Sequence, residues 1–331
     1  MSARITDTDR VIIQHLRTNA RISNAKLADH ARLSESQCLR RLRELERAKI
    51  IQQYIAVINL VAVDLPIFGV IEIRLGDPTR TSMEAFERAM AELTSITDCW
   101  HTSGDVNYML AASVSDPPAY ERVLNELSAI NRVSIVRSGL VLRNVKPTSQ
   151  AAPSKKSRRP GLGSTGALSR KRLDDFDRRI LGILSTDARI SNAGLARRIG
   201  LSPAPCLRRV QALEKAGIIQ NYVALVDSDA LNLVIAVVRI QFHYENRQLR
   251  WPFEQWLLTI PEIRSAYRTN GESDYLLVFE ASSVNNLERL LVESLLSHPG
   301  VKGLQSAIRL RNCLRSSRLR GIVLGPGPNN V

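Results

Sequence analysis

The chain has 331 residues, with 46 Lys+Arg against 32 Asp+Glu and a formal net charge of +14. That length predicts about two domains of roughly 150 residues each, and the cationic excess favours a polyanionic partner. The most apolar stretches, such as "LVIAVV" from Leu233, fall far short of the roughly 20 residues of a spanning helix, and "MSARITDTDR" lacks a signal-peptide core, so neither membrane nor export is expected.

In chain order, Ile12 and Leu16 mark one face of a first helix, and Ser23-Asn24 offers an N-cap environment for a second, which carries Leu27 and Ala28 inward. A tight turn leads to Ser34, expected to cap a third helix by accepting a bond from a free backbone N–H. There Cys38, Leu42 and Leu45 recur at helical spacing and face the core, which is expected to drive Arg40, Arg41, Glu44 and Arg47 outward. Helix, short helix, turn and exposed basic helix is the helix-turn-helix arrangement, placed at residues 24–43 of a head spanning 1–60.

Beyond it the hydrophobic period changes to two. Ile71, Ile73 and Leu75 alternate with Glu72 and Arg74 in a half-buried strand, and Met83, Phe86, Met90 and Leu93 mark an amphipathic helix. Two strands, "ITDCWHTS" and "NYMLAASV", are joined around Gly104-Asp105; a helix through Tyr120, Val123, Leu124 and Leu127 leads to a last strand near 133–143. The order βαββαβ predicts a ferredoxin-like body at 61–146, with both helices on one face of the sheet and the other face needing a partner.

The whole pattern then recurs. "ARISNAKLADHARLSESQCLRRLRELERAKIIQQY" from Ala20 is matched by "ARISNAGLARRIGLSPAPCLRRVQALEKAGIIQNY" from Ala188, and the same offset relates Cys38 to Cys206. The period is far longer than the roughly 20–50 residues of a solenoid repeat, so a complete unit is duplicated in tandem. The second head is assigned to 171–228, with its helix-turn-helix at 192–211, and the second body to 229–315. Residues 147–170, rich in Pro, Gly, Ser and basic side chains, are read as a flexible tether, and 316–331 as a tail. The predicted class is α+β: two repeats, each a winged-helix-like head followed by a ferredoxin-like body.

The copies differ at telling places. Gly200 and Gly217 lie where the backbone is expected to turn through positive φ; the first copy has Arg32 and Lys49 there, at about 1 kcal/mol each if the left-handed conformation persists. "SPAP" in the second copy becomes "SESQ" in the first, placing Glu35 near bound phosphates. The second head is therefore expected to be the sharper reader, and the operator asymmetric.

With head, body and turn located, "LDDFDRRIL" from Leu173, "DARISNAGLA" from Asp187, "GLSPAPCLRRVQALEKAGII" from Gly200 and "NGESDYLL" from Asn270 make the chain resemble the Lrp/AsnC (leucine-responsive, feast-famine) transcriptional regulators. The resemblance implies a dimer fused into one polypeptide, its bodies paired sheet to sheet, acting in the cytoplasm on the nucleoid, with further homo-oligomers left open. Double-stranded operator DNA is the expected partner. The reading side chains are expected to be Ser36, Gln37, Arg40 and Arg41, and Ala204, Arg208 and Arg209, with Ser34 and Ser202 near phosphate. The resemblance also implies an amino-acid effector at the turn before the third body strand. That turn reads Gly104-Asp105-Val106-Asn107-Tyr108 in one copy and Gly271-Glu272-Ser273-Asp274-Tyr275 in the other, so each departs from the family's Gly-Asp-x-Asp-Tyr at one acid. Gly104, Asp105, Asn107, Gly271, Glu272 and Asp274 are the candidate effector residues.

No cofactor, metal site or catalytic residue is expected: the four cysteines form no C-x-x-C pair, and the five histidines share no repeat position. Two alternatives stand beside the regulator. One is an enzyme resembling sirohaem decarboxylases on the same fold, for which His101 is the histidine to watch. The other is an architectural DNA protein without sequence preference. The "CLRR" present in both heads argues against the enzyme.

Overall fold

The computed structural model describes residues 5–146 and 173–314; the tether assigned to 147–170 and the tail assigned to 316–331 lie outside the described residues. In the first copy, helices α1 (Asp7–Thr18), α2 (Asn24–Ala31) and α3 (Glu35–Arg47) are followed by strand β1 (Ile51–Ile58). Then come β2 (Ile67–Leu75), α4 (Arg80–Glu92), β3 (Ile96–Thr102), β4 (Tyr108–Val114), α5 (Pro117–Ala129) and β5 (Val133–Lys146). The second copy repeats the order with α6 (Asp175–Leu184), α7 (Asn192–Ile199), α8 (Pro203–Lys215), β6 (Ile219–Val226), β7 (Val234–Phe242), α9 (Arg250–Thr259), β8 (Ile263–Thr269), β9 (Tyr275–Ala281), α10 (Val284–Arg289) and β10 (Val301–Asn312). The helix after β9 differs in winding: α10 runs on as a π-helical stretch, Leu290–Leu296, where α5 is α-helical throughout. The chain divides into two compact units, one made of both heads and the other of both bodies.

Within the head unit, β1 and β6 pair antiparallel, Tyr54 opposite Ala224 and Ala56 opposite Tyr222. Each strand also serves the opposite head. Ala20 donates its N–H to the Tyr222 carbonyl at 2.7 Å, and Ala188 donates to that of Tyr54 at 2.8 Å. The Arg21 guanidinium stacks 3.6 Å from the Tyr222 ring, and Arg189 lies 3.9 Å from that of Tyr54, a cation–π clasp used twice. Arg32 (φ 54°) and Lys49 (φ 59°) keep the left-handed backbone that Gly200 (φ 77°) and Gly217 (φ 68°) adopt in the other head. The strain expected of the first copy is therefore present.

Within the body unit, each copy forms a four-stranded antiparallel sheet with its helices on one face. Ile71, Ile73, Phe86, Met90, Tyr108 and Leu127 fill one core; Val238, Ile240, Phe253, Leu257, Tyr275 and Leu295 fill the other. The opposite faces meet, with Val106, Met109, Val237 and Leu276 buried between them. The sheets are also joined edge to edge: β5 pairs with β8, and β10 with β3, so eight strands close into a barrel in the order β10-β3-β4-β2-β5-β8-β9-β7. Closure leaves no edge to template aggregation. An arginine of each fourth strand then locks onto a helix of the other copy. Arg311 donates two bonds to Glu87 (2.6 and 2.8 Å), and Arg143 lies 2.9 Å from the buried Glu254. Tyr108 and Tyr275 complete these pairs by donating to Glu87 and Glu254.

Candidate nucleic-acid interface

Each third helix is anchored by its apolar side. Cys38 and Leu45 are buried in α3, as are Cys206 and Leu213 in α8. Rotation of 100° per residue then sends every fourth and third position the other way. Ser36, Arg40, Arg43 and Arg47 form one exposed stripe on α3; Ala204, Arg208, Gln211 and Lys215 form its counterpart on α8. Arg43 and Gln211 are not among the residues expected from sequence as readers, although their i+3 spacing from Arg40 and Arg208 was visible there.

The arginine pair divides. Arg40 is 71% exposed and makes one loose contact, 3.9 Å, with Glu44. Arg41 was expected to project outward in the same way, and the structure corrects this. It turns back across the head, its Nε donating to Asp9 Oδ1 at 3.0 Å, while the Asp9 side chain is fully buried. Arg209 repeats the arrangement in the second head, reaching the buried Asp177 at 2.9 Å and Asp174 at 2.7 Å. Burial alone would raise the Asp9 carboxyl; the Arg41 guanidinium, with the Thr6 amide and hydroxyl, outweighs it and holds the group below the ordinary carboxylate range. One arginine of each pair thus ties the third helix to the first, and the other is free to meet a ligand.

The helix starts also divide. Ser34 caps α3 in a reciprocal box, accepting from the Gln37 N–H (3.3 Å) while its own N–H donates to Gln37 Oε1 (3.1 Å). Gln37 is therefore folded back over the helix start. Ser202, expected to cap α8 likewise, makes no capping bond. The position that donates in α3 is occupied by Pro205 in α8, which has no N–H. The Ser202 hydroxyl and the Ala204 N–H lie at an open helix start, where an anion is favoured.

At the body turns, Gly104 (φ 101°) and Gly271 (φ 98°) hold the left-handed bend. Asn107 Oδ1 accepts from the Leu75 N–H at 2.8 Å, and Asp274 Oδ2 accepts from the equivalent Phe242 N–H at 2.9 Å. Asp274 also accepts from Arg250 at 2.6 Å. These two side chains shape the hairpins. Asp105 instead faces arginines of both copies, Arg239 at 3.0 Å and Arg137 at 3.2 Å, and Glu272 lies 3.8 Å from Arg137.

His101 packs against the Tyr108 ring at 5.3 Å, and burial, helped by Arg311, depresses its pKa. His15 stacks on His30 at 4.0 Å, and His298 lies against Phe253 and Trp256. Among the described residues no group of three or more His, Cys, Asp or Glu is placed to hold a metal ion. Among the described residues no helix is long and apolar enough to cross a membrane.

The Lrp/AsnC ligand binding domain matches residues 69–151 and again 235–319. An AsnC-type helix-turn-helix domain matches 5–46, and a winged helix-turn-helix DNA-binding domain matches 173–220. The chain is similar to the leucine-responsive regulatory protein of Escherichia coli (strain K12), 39% identical over 153 residues that cover 45% of this chain and 92% of that protein. It is similar to the leucine-responsive regulatory protein of Klebsiella pneumoniae at 37% over 150 residues, with the same coverage. Among solved structures, the siroheme decarboxylase NirDL in complex with an iron-uroporphyrin III analogue aligns over 94% of this chain and 93% of that one, with a TM-score of 0.61 and 13% identity. At that identity the likeness is one of fold alone.

Proposed function

The chain belongs to the Lrp/AsnC family, a DNA-binding transcriptional regulator that carries both family domains twice, and from this premise we propose that it works as a single-chain pseudo-dimer with its two third helices in the major groove. The observation that carries the reading is the exposed stripe on each of these helices, held outward by a buried apolar side. Phosphates supply salt-dependent affinity, to which the net charge of +14 contributes. Arg40 and Arg208 supply base contacts, since a guanidinium fits guanine O6 and N7 in a bidentate manner. Ser202 and the Ala204 amide, with Ser34 and Ser36 in the other head, lie at helix starts suited to phosphate. Arg41 and Arg209 act through the fold, by fixing the helix they stand on.

The bodies, by the same premise, sense an amino acid or a related small molecule. Of the candidate side chains, Asp105 and Glu272 suit an ammonium, and the arginines beside them suit a carboxylate. Asn107 and Asp274, with Gly104 and Gly271, form the turn that presents them. The expected setting is cytoplasmic and nucleoid-associated, and no catalytic role is proposed, the similar proteins named above at 37–39% identity being regulators.

The test is DNA binding by the full chain to an operator enriched from a random pool, at fixed salt. Arg40→Ala and Arg208→Ala should each weaken specific binding by about 1–3 kcal/mol while the protein melts as the parent does. Arg41→Ala and Arg209→Ala should instead lower the melting temperature, because each strands a buried carboxylate. Parental affinity in both Arg40→Ala and Arg208→Ala would rule the reading out. Repeating the titration with a panel of amino acids tests sensing; an affinity indifferent to every member counts against it.

A further inference from the structure

The two recognition stripes share a central arginine and differ one turn beyond it in the hydrogen bonds they can offer. Residues 36 to 47 of α3 span about 16 Å at 1.5 Å per residue, enough to pass four or five base pairs. Arg40 and Arg208 are identical. Arg47 and Lys215, near the helix ends, are both cations, as suits a phosphate contact that carries no sequence information. Ser36 and Ala204 are both small and differ by a hydroxyl, which in α3 hydrogen-bonds with the Ser34 hydroxyl at 3.1 Å at the helix start, where phosphate is expected. Between them, one turn beyond the shared arginine, α3 presents Arg43 and α8 presents Gln211, both exposed. Neither forms an ion pair or hydrogen bond among the described residues, so neither is committed to the fold as Arg41 and Arg209 are.

These two side chains ask for different bases. A guanidinium offers only donors and matches the paired acceptors of guanine, O6 and N7. A glutamine amide offers one donor and one acceptor and matches adenine, N6 and N7. We infer that Arg43 and Gln211 give the two heads different specificities, so that the operator is an imperfect palindrome: a common guanine in both half-sites, met by Arg40 and Arg208, and one turn along a guanine in the half-site of the first head but an adenine in that of the second. The inference rests on the DNA-reading function proposed above. A regulator assembled from two identical chains cannot make this distinction, because one sequence supplies both helices; tandem duplication removes the constraint.

The experiment is random-pool enrichment with the full chain, its Arg43→Gln variant and its Gln211→Arg variant. Both changes fall on exposed positions, and thermal melts confirm that each variant stays folded. The parent should enrich an unlike pair of half-sites. Arg43→Gln should convert guanine to adenine at one position of one half-site, and Gln211→Arg should do the reverse in the other, each variant yielding a more symmetric operator. Titration of single-base variants should show preference at that position changing about tenfold or more, while the common guanine is unaffected. A symmetric operator from the parent, or an unchanged operator from both variants, overturns the inference and leaves the DNA-reading function standing. Failure of the parent to enrich anything overturns both.

Discussion

Two aspartates show how the same side chain takes opposite titration behaviour from its surroundings. Asp9 is held below the ordinary carboxylate range by Arg41 and Thr6, so the pair stabilises the head above that range and the contribution is lost as pH falls through the lowered folded value. Asp98, on β3, is pushed by burial up to about 6, against the pull of Arg264. Here the folded state binds the extra proton between the ordinary 3.8 and about 6, so stability from this group rises as pH falls through that window. Above it the charged carboxylate costs up to about 3 kcal/mol. Asp98→Asn should therefore be more stable than the parent at pH 7.5, and the advantage should shrink toward nothing near pH 4. Denaturant titrations of both proteins across that range check this; a difference that does not change with pH would refute it. None of it was legible in the sequence, where Asp98 is one polar residue of "ITDCWHTS" and Arg264 stands far along the chain. The split between Arg40 and Arg41 was hidden in the same way, because periodicity gives an angle on the helix but not the carboxylate waiting across the head.

At the scale of elements, periodicity did more. The buried positions of α3 and α8 and the βαββαβ order follow from spacing alone, since an apolar stripe must be covered wherever it lies. Strands β1 and β6 escaped it: each finds its hydrogen-bond partner in the other head, so "IIQQYIAVI" read by itself has no sheet to join. The missing cap at Ser202 was readable in principle, from a proline three residues on. The two positive-φ positions of the first head were readable because the second copy writes glycine at them, Gly200 and Gly217. In the first copy, Arg32→Gly and Lys49→Gly should each stabilise the head by about 1 kcal/mol, since both backbones already hold the left-handed conformation. Gly200→Ala and Gly217→Ala should cost a similar amount in the second. Chemical denaturation measures all four. Destabilisation by both glycine substitutions would mean that the side chains of Arg32 and Lys49 repay their strain by contacts of their own.

For the molecule as a whole, duplication lets one surface differ from its mate. Glu72 on β2 lies opposite Met109 and Arg137; Arg239 holds the same place on β7, opposite Leu276 and Gln305. The two meet, Arg239 donating to Glu72 at 2.5 Å with both side chains 12% exposed, and Asp105 joins at 3.0 Å. Bodies of two identical copies paired in this way would bring glutamate against glutamate or arginine against arginine, at a cost that opposite charges avoid. The first body is thereby matched to the second and mismatched to itself. Arg239→Met should cost about 1–3 kcal/mol, because it takes the nearer cation from Glu72 and leaves Glu72 and Asp105 to share Arg137. Glu72→Gln should be less costly in that background than in the parent, with a coupling of about 1 kcal/mol or more between the positions. A double-mutant cycle on the full chain, read by denaturation, gives the number. Strictly additive losses would show that the contact does not govern which bodies pair, and that the tandem arrangement alone holds unlike copies together.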